Sequence, residues 1–251
     1  MMVNEGTLFS GVMLIAAAAT FFISIYTGRN RWQDVLSPTT IRMGMVFWLV
    51  AGLSALLTGT RQLFAYFGLY EIDKAIFIFG GIPSSLLVAP AIGMVVFILS
   101  GNKTKASVST TLFALFAFGV FVASAAGGIA GPQVTYWGTG YVLSNELAKT
   151  MLLLGIFVPG IAASSIMLLF GKYSGSSASE SSLTYSALAM AILISALSLE
   201  MIVGGGNAEL LLSFRGLVAL SAFLVFKAYV SGTTARLSPR SSARNTPLRS
   251  A

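Results

Sequence analysis

The chain has 251 residues, of which 56% are hydrophobic and 9% charged, whereas soluble domains carry about 25% charged residues; water is therefore not its main solvent. It contains no cysteine and no histidine, which excludes disulfides, thiolate metal sites, histidine-ligated haem or zinc and the commonest general base. The net charge of +7 is unevenly spread along the chain and reads as membrane orientation, not as nucleic-acid binding.

At about 20 residues per span, apolar segments predict seven transmembrane helices. Met1–Gly6 lacks a basic stretch of the kind that opens a cleavable signal, so the first segment, Thr7–Thr27, is expected to be a permanent span. A polar loop follows with Arg29, Arg31, Asp34, Arg42 and the breaker Pro38. The second span is Met43–Thr60, capped by Arg61. The connection Gln62–Asp73 is aromatic and acidic, as suits a membrane interface. The third span, Lys74–Leu99, contains Gly80, Gly81, Pro83 and Pro90. After Lys103 and Lys105 comes the fourth span, Val108–Ala130. A wide loop holding Tyr136, Trp137, Thr139 and Tyr141 is expected at the membrane surface. The fifth span, Lys149–Phe170, contains Gly155, Pro159 and Gly160. The Ser-rich stretch Gly171–Thr184 reads as a flexible linker. Spans six and seven, Tyr185–Val203 and Leu210–Val230, form a hairpin across Gly204-Gly205-Gly206. Residues 231–251 read as a basic, polar cytoplasmic tail, set apart from the transmembrane domain of residues 1–230.

Eleven lysines and arginines fall in the odd-numbered loops and the tail, against three on the other side. That asymmetry predicts an outer N-terminus and a cytoplasmic C-terminus. A weak repeat is also present. Glu71-x-x-Lys74 precedes Gly80 and Pro83, and Glu146-x-x-Lys149 precedes Gly155 and Pro159. In each, an acid suits a helix N-terminus and a glycine and proline suit close packing and a kink.

The principal candidate site is Glu200 with Arg215. Both lie a few residues from the same tight turn, within roughly 5–9 Å of the helix ends, and so at similar depth. A lone charge in lipid costs several kcal/mol and a paired one much less. The expected role is a clamp between spans six and seven, with an ion or proton pathway as the functional alternative. The second candidate is the pair of helix breaks at Gly80-Gly81-Pro83 and Gly155-Pro159-Gly160, with Ser84-Ser85 and Ser164-Ser165 beyond them. Broken helices of this kind can surround a midplane substrate, and the same residues serve as close-packing faces. Gly204-Gly205-Gly206 lacks the lysine and hydroxyl residue of a phosphate loop and reads as a turn. The tail arginines read as a solvated tail that meets the positive-inside rule, with a lipid-binding stripe as the alternative, and Ser238-Pro239 and Thr246-Pro247 are candidate phosphorylation sites.

Seven spans, an outer N-terminus and about 250 residues resemble the microbial rhodopsins in outline. Those proteins hold retinal on a lysine in the middle of the seventh helix. Here the seventh span has Lys227 at its cytoplasmic end and Arg215 near its outer end, so the resemblance is one of topology and no retinal site is carried over.

The expected fold is an all-α bundle of seven transmembrane helices in the cell membrane. The expected function is a non-catalytic membrane subunit or scaffold without a cofactor of its own, packed in the lipid bilayer against other membrane subunits or further copies of itself. The alternatives are a small-solute transporter or channel built on the helix breaks and a seven-helix sensor acting through a separate partner.

Overall fold

A computed structural model describes residues 4–28, 37–173, 177–203 and 207–230. Seven helical stretches among these are long and apolar enough to cross a membrane, and the chain is an all-α, multi-pass membrane protein. The spans are formed by α1 (Glu5–Gly28), α2 (Pro38–Tyr66), α3 and α4 together (Tyr70–Leu86 and Val88–Ser100) and α5 (Lys103–Ala126). They continue with α6 (Glu146–Leu152), a π segment (Leu153–Phe157) and α7 (Val158–Tyr173), followed by α8 (Ser177–Val203) and α9 (Ala208–Val230). A single β-hairpin, β1 (Ile129–Thr135) and β2 (Gly138–Leu143), separates α5 from α6.

Local chemistry explains where the elements differ from the expected ones. Pro38 does not break a helix. It opens α2, with Ser37 as N-cap accepting from Thr40 N, because proline at the first helical position surrenders an N–H that has no helical acceptor anyway. The Ser-rich stretch is largely helical, since α7 runs to Tyr173 and α8 starts at Ser177. The fourth span stops at Ala126, where Gly127 caps it, and Ile129 and Ala130 belong to β1. Arg29, Arg31, Asp34, the Gly204-Gly205-Gly206 turn and the tail from 231 onward lie outside the described residues.

One of the two expected breaks moves and the other is a π segment. Gly80, Gly81 and Pro83 all remain within α3, and the interruption comes at Leu87. Pro90 is the cause: it has no N–H for the carbonyl of Leu86, four residues earlier. In the fifth span Gly155 lies inside the π segment, which closes on a Val158 N–H to Leu153 carbonyl bond. Pro159 and Gly160 follow within α7. Proline removes the donor for the Gly155 carbonyl, and the wider turn just before it absorbs the mismatch.

The spans pack as a closed ring. α1 lies between α2 and α9, α8 between α7 and α9, and α4 between α2, α5 and α7. Phe21, Phe47, Trp48, Met94, Leu193 and Ile194 fill the interior, with Phe21 stacked on Trp48 at 5.5 Å. The glycines of the expected breaks are approach points between helices. A side chain at Gly81 would strike Phe121, one at Gly155 would strike Phe116, and one at Gly160 would strike Ile194 and Val88. The hairpin closes one end of the ring. Its turn sits on the start of α1, where Asn4 donates to Thr135 O at 2.9 Å and Phe9 meets Trp137 edge-on.

Candidate functional site: a buried charge cluster under the hairpin

The helix ends at the hairpin end of the ring carry four charged side chains into one place. α2 brings Arg61, α3 brings Asp73, α8 brings Glu200 and α9 brings Arg215. A short turn sets up the first pair. α2 ends at Tyr66 and α3 begins at Tyr70, and the chain reverses through Gly68 at φ +75°. Arg61 and Asp73 therefore face each other across that turn, as Glu200 and Arg215 do across the next helical hairpin.

Glu200 Oε1 lies 3.8 Å from Arg215 Nη2 and 3.6 Å from Arg61 Nη2. Arg61 Nη1 donates to Asp73 Oδ1 at 3.3 Å. The expected pair is thus half of a chain of alternating sign, Asp73–Arg61–Glu200–Arg215, whose formal charges sum to zero. Arg215 and Asp73 are fully buried and Arg61 nearly so. Asp73 was expected in an interfacial connection, with Glu200 the single carboxylate within a span. It instead lies inside α3, because α3 starts three residues before it.

Two guanidinium groups present ten N–H donors between them, more than two carboxylates at these distances can take. The hairpin supplies further acceptors, and Ser10 of α1 another. Thr139 O accepts from Arg61 Nη2 at 3.1 Å, Gln62 Nε2 at 3.2 Å and Arg215 Nη2 at 3.3 Å. Trp137 O accepts from Arg215 Nη1, which also donates to Ser10 Oγ at 2.6 Å. Gln62 closes a two-way amide pair, with Thr139 N donating to its Oε1 at 3.0 Å. The Thr139 hydroxyl donates to Asp73 Oδ2 at 2.6 Å. Every polar group of Thr139 is therefore engaged, and the residue is buried, not exposed in an outer loop as expected.

Gly138 makes this approach possible. It has φ +143°, and a Cβ there would overlap Gln62 Oε1 and the Arg215 guanidinium. Tyr141 was also expected at the membrane surface. It is buried, donates to Asp73 Oδ2 at 3.0 Å and lies beside Phe77, with Arg61 over both rings. Burial, and then the Asp73 carboxylate beside it, push the Tyr141 phenol above its ordinary value, so it stays a donor to Asp73.

The second set of candidates does not join this site as a group. Ser84 and Ser164 donate to the Gly80 and Gly160 carbonyls, and Ser165 to Ile161 O, each one turn earlier in its own helix. Gly80, Gly81 and Ser84 line a pocket that reaches Arg61 and Glu200. Gly155, Pro159 and Gly160 lie on the fifth span and touch none of the four charges. Sequence reasoning missed Arg61, Asp73, Gln62, Thr139 and Tyr141 as members of the cluster. The signal for the first two was present: a base and an acid within six residues of a glycine turn.

No protein-family model matches the chain, and no curated protein matches it.

A double-mutant cycle tests the coupling. Glu200→Gln and Arg215→Gln should each lower stability by about 3–5 kcal/mol, because each leaves a buried charge short of a partner. The double variant should lose less than the sum, with a coupling of about 0.5–3 kcal/mol. Thermal melting in detergent reads this, and strictly additive losses would mean that the two charges do not interact.

Proposed function

We propose that the chain is a non-catalytic subunit of a membrane assembly, docking against another transmembrane helix through the outer face of α5. The observation that carries this is the exposure of that helix. It packs against α3, α4 and α6 on one side, and 22% of its apolar window is buried, the lowest share of the seven spans. Its outer face presents Leu112, Leu115, Phe118 and Val122 around Gly119 and Ala123. Nothing approaches within 4 Å of a side chain built at Gly119. A small-x-x-x-small pair on a lipid-facing helix lets a second backbone come close, which is how transmembrane helices associate where burial from water contributes nothing.

The charge cluster supports the same reading. Its charges are paired with one another and with the hairpin, which is the arrangement of a clamp. Gly81 of span three and Gly155 and Gly160 of span five are filled against by Phe121, Phe116, Ile194 and Val88, which favours packing over an open midplane site for a solute.

The orientation that goes with this reading puts the hairpin end outside the cell and the lysine-rich end in the cytoplasm. The lysine-rich end includes Lys103, Lys105 and Lys227, and the basis is the positive-inside distribution. The chain lacks cysteine, so single cysteines report sidedness without background. In intact cells an impermeant thiol reagent should label Val134→Cys, on the exposed face of the hairpin, and not Lys103→Cys. The reverse pattern would invert the orientation.

The docking face is tested by size and stoichiometry in lipid nanodiscs prepared straight from membranes. The native chain should travel as a complex, and Gly119→Leu should release it as a monomer with an unchanged melting temperature. A native chain that is a monomer, and that moves a solute when reconstituted alone, would replace the subunit reading with the transporter.

A further inference from the structure

Two pockets adjoin inside the ring, next to the charge cluster. The first, of about 40 Å³, lies between α2, α3 and α8 and is lined by Thr58, Arg61, Gly80, Ser84 and Glu200 among others. The second, of about 20 Å³, is lined by Ser84, Ser85, Leu87 and Ser198 among others. Ser84 and Leu197 stand in the walls of both. Taken together, the two pockets extend from the charges to the break in the third span.

Its polar groups have hydrogen-bonding capacity left over. Glu200 Oε1 is buried and accepts no hydrogen bond from the described residues. Its two guanidinium neighbours stand at 3.6 and 3.8 Å, beyond hydrogen-bond length and in the range that a bridging water spans. Ser84 and Ser85 donate to Gly80 O and Ile82 O, so their oxygen lone pairs are free to accept. At the far end Pro90 cannot donate to the Leu86 carbonyl. A buried water needs about 10–15 Å³ and two to four polar partners, and both pockets meet the first condition while Glu200, Arg61, Thr58 and Ser84 meet the second in the larger.

We propose that the two pockets form one water inlet, running from the charge cluster to the break at Leu87, with water as its occupant and as the hydrogen-bond donor to Glu200. The inlet hydrates a carboxylate that otherwise faces two arginines at a distance. It also brings water, and the proton exchange that water supports, along the third and sixth spans into the apolar part of the bundle. This does not depend on the docking role of α5, which lies on the outside of the ring.

The absence of native cysteine gives a direct test. A single cysteine has an isolated S–H infrared band that shifts to S–D when water reaches it. Ser84→Cys and Ser198→Cys place that probe in the two pockets. Ser221→Cys is the dry control, since Ser221 is fully buried and donates to Ala189 O between α9 and α8. After transfer of the folded protein in nanodiscs to D2O, both pocket probes should exchange at least about tenfold faster than the control, which has to wait for local opening. Thr58→Cys replaces Ser84→Cys, and Ser85→Cys replaces Ser198→Cys, should either fail to fold. Exchange as slow as Ser221→Cys at both positions would overturn the proposal. Fast exchange at Ser84→Cys with slow exchange at Ser198→Cys would also overturn it, because the space would then end at the first pocket.

Discussion

Four charges buried at one end of an apolar bundle constrain everything around them. Isolated, each would cost several kcal/mol. The chain meets the constraint with equal numbers of each sign and with acceptors from a fifth element. Asp73–Arg61–Glu200–Arg215 alternates in charge, yet two guanidinium groups need more acceptors than two carboxylates offer. Between them the Thr139 and Trp137 carbonyls accept from both arginines as well. This explains why an otherwise helical protein keeps a hairpin and why that hairpin is folded inward. It also explains why Gly138 stands at the one position where a side chain would collide with both Gln62 and Arg215. Arginine suits the role because its planar fork reaches several acceptors at once, which a lysine would not.

The remainder of the bundle follows lipid rules. Helices approach where glycine permits it, as Gly81 does against Phe121 and Gly155 against Phe116. The two interruptions, at Leu87 and across Leu153–Phe157, are each placed by a proline a few residues further on. Hydroxyls on the spans largely bond back to carbonyls of their own helices, as Ser84, Ser124, Ser164 and Ser195 do. Those bonds let polar side chains sit at depth without a partner from another helix. The charge cluster differs because its partners come from five spans and the hairpin, Ser10 of α1 included, so it fixes how those elements meet.

The seven spans were legible because long apolar runs are the strongest signal a sequence carries. Placing Glu200 and Arg215 at similar depth used only the shortness of the turn between them. The same reasoning applies to Arg61 and Asp73 across Gly68. There the aromatic run Phe64–Tyr70 resembles an interface and hides the fact that α2 and α3 leave just three residues between them. The hairpin was hidden for another reason. Two short strands with glycines and exposed aromatics look like a surface loop, and the burial of Thr139 and Tyr141 is set by partners 77 and 68 residues away in the chain. The break expected at Gly155 coincides with the π segment, whereas the one expected at Gly80-Gly81-Pro83 falls further on, because Pro90 disturbs the carbonyl four residues earlier.

The central claim is that the buried charges hold the hairpin as part of the bundle. The most direct measurement is the exchange of the Thr139 amide hydrogen in the intact, lipid-embedded protein, followed site by site. That N–H is bonded to Gln62 Oε1 and lies under the cluster. It is expected to exchange as slowly as amides in the core of α1 around Ala18, opening only when the bundle itself opens. Exchange as fast as that of Val134 on the exposed edge of the same hairpin would contradict the claim, because Thr139 would then be leaving the charges while the helices stay folded.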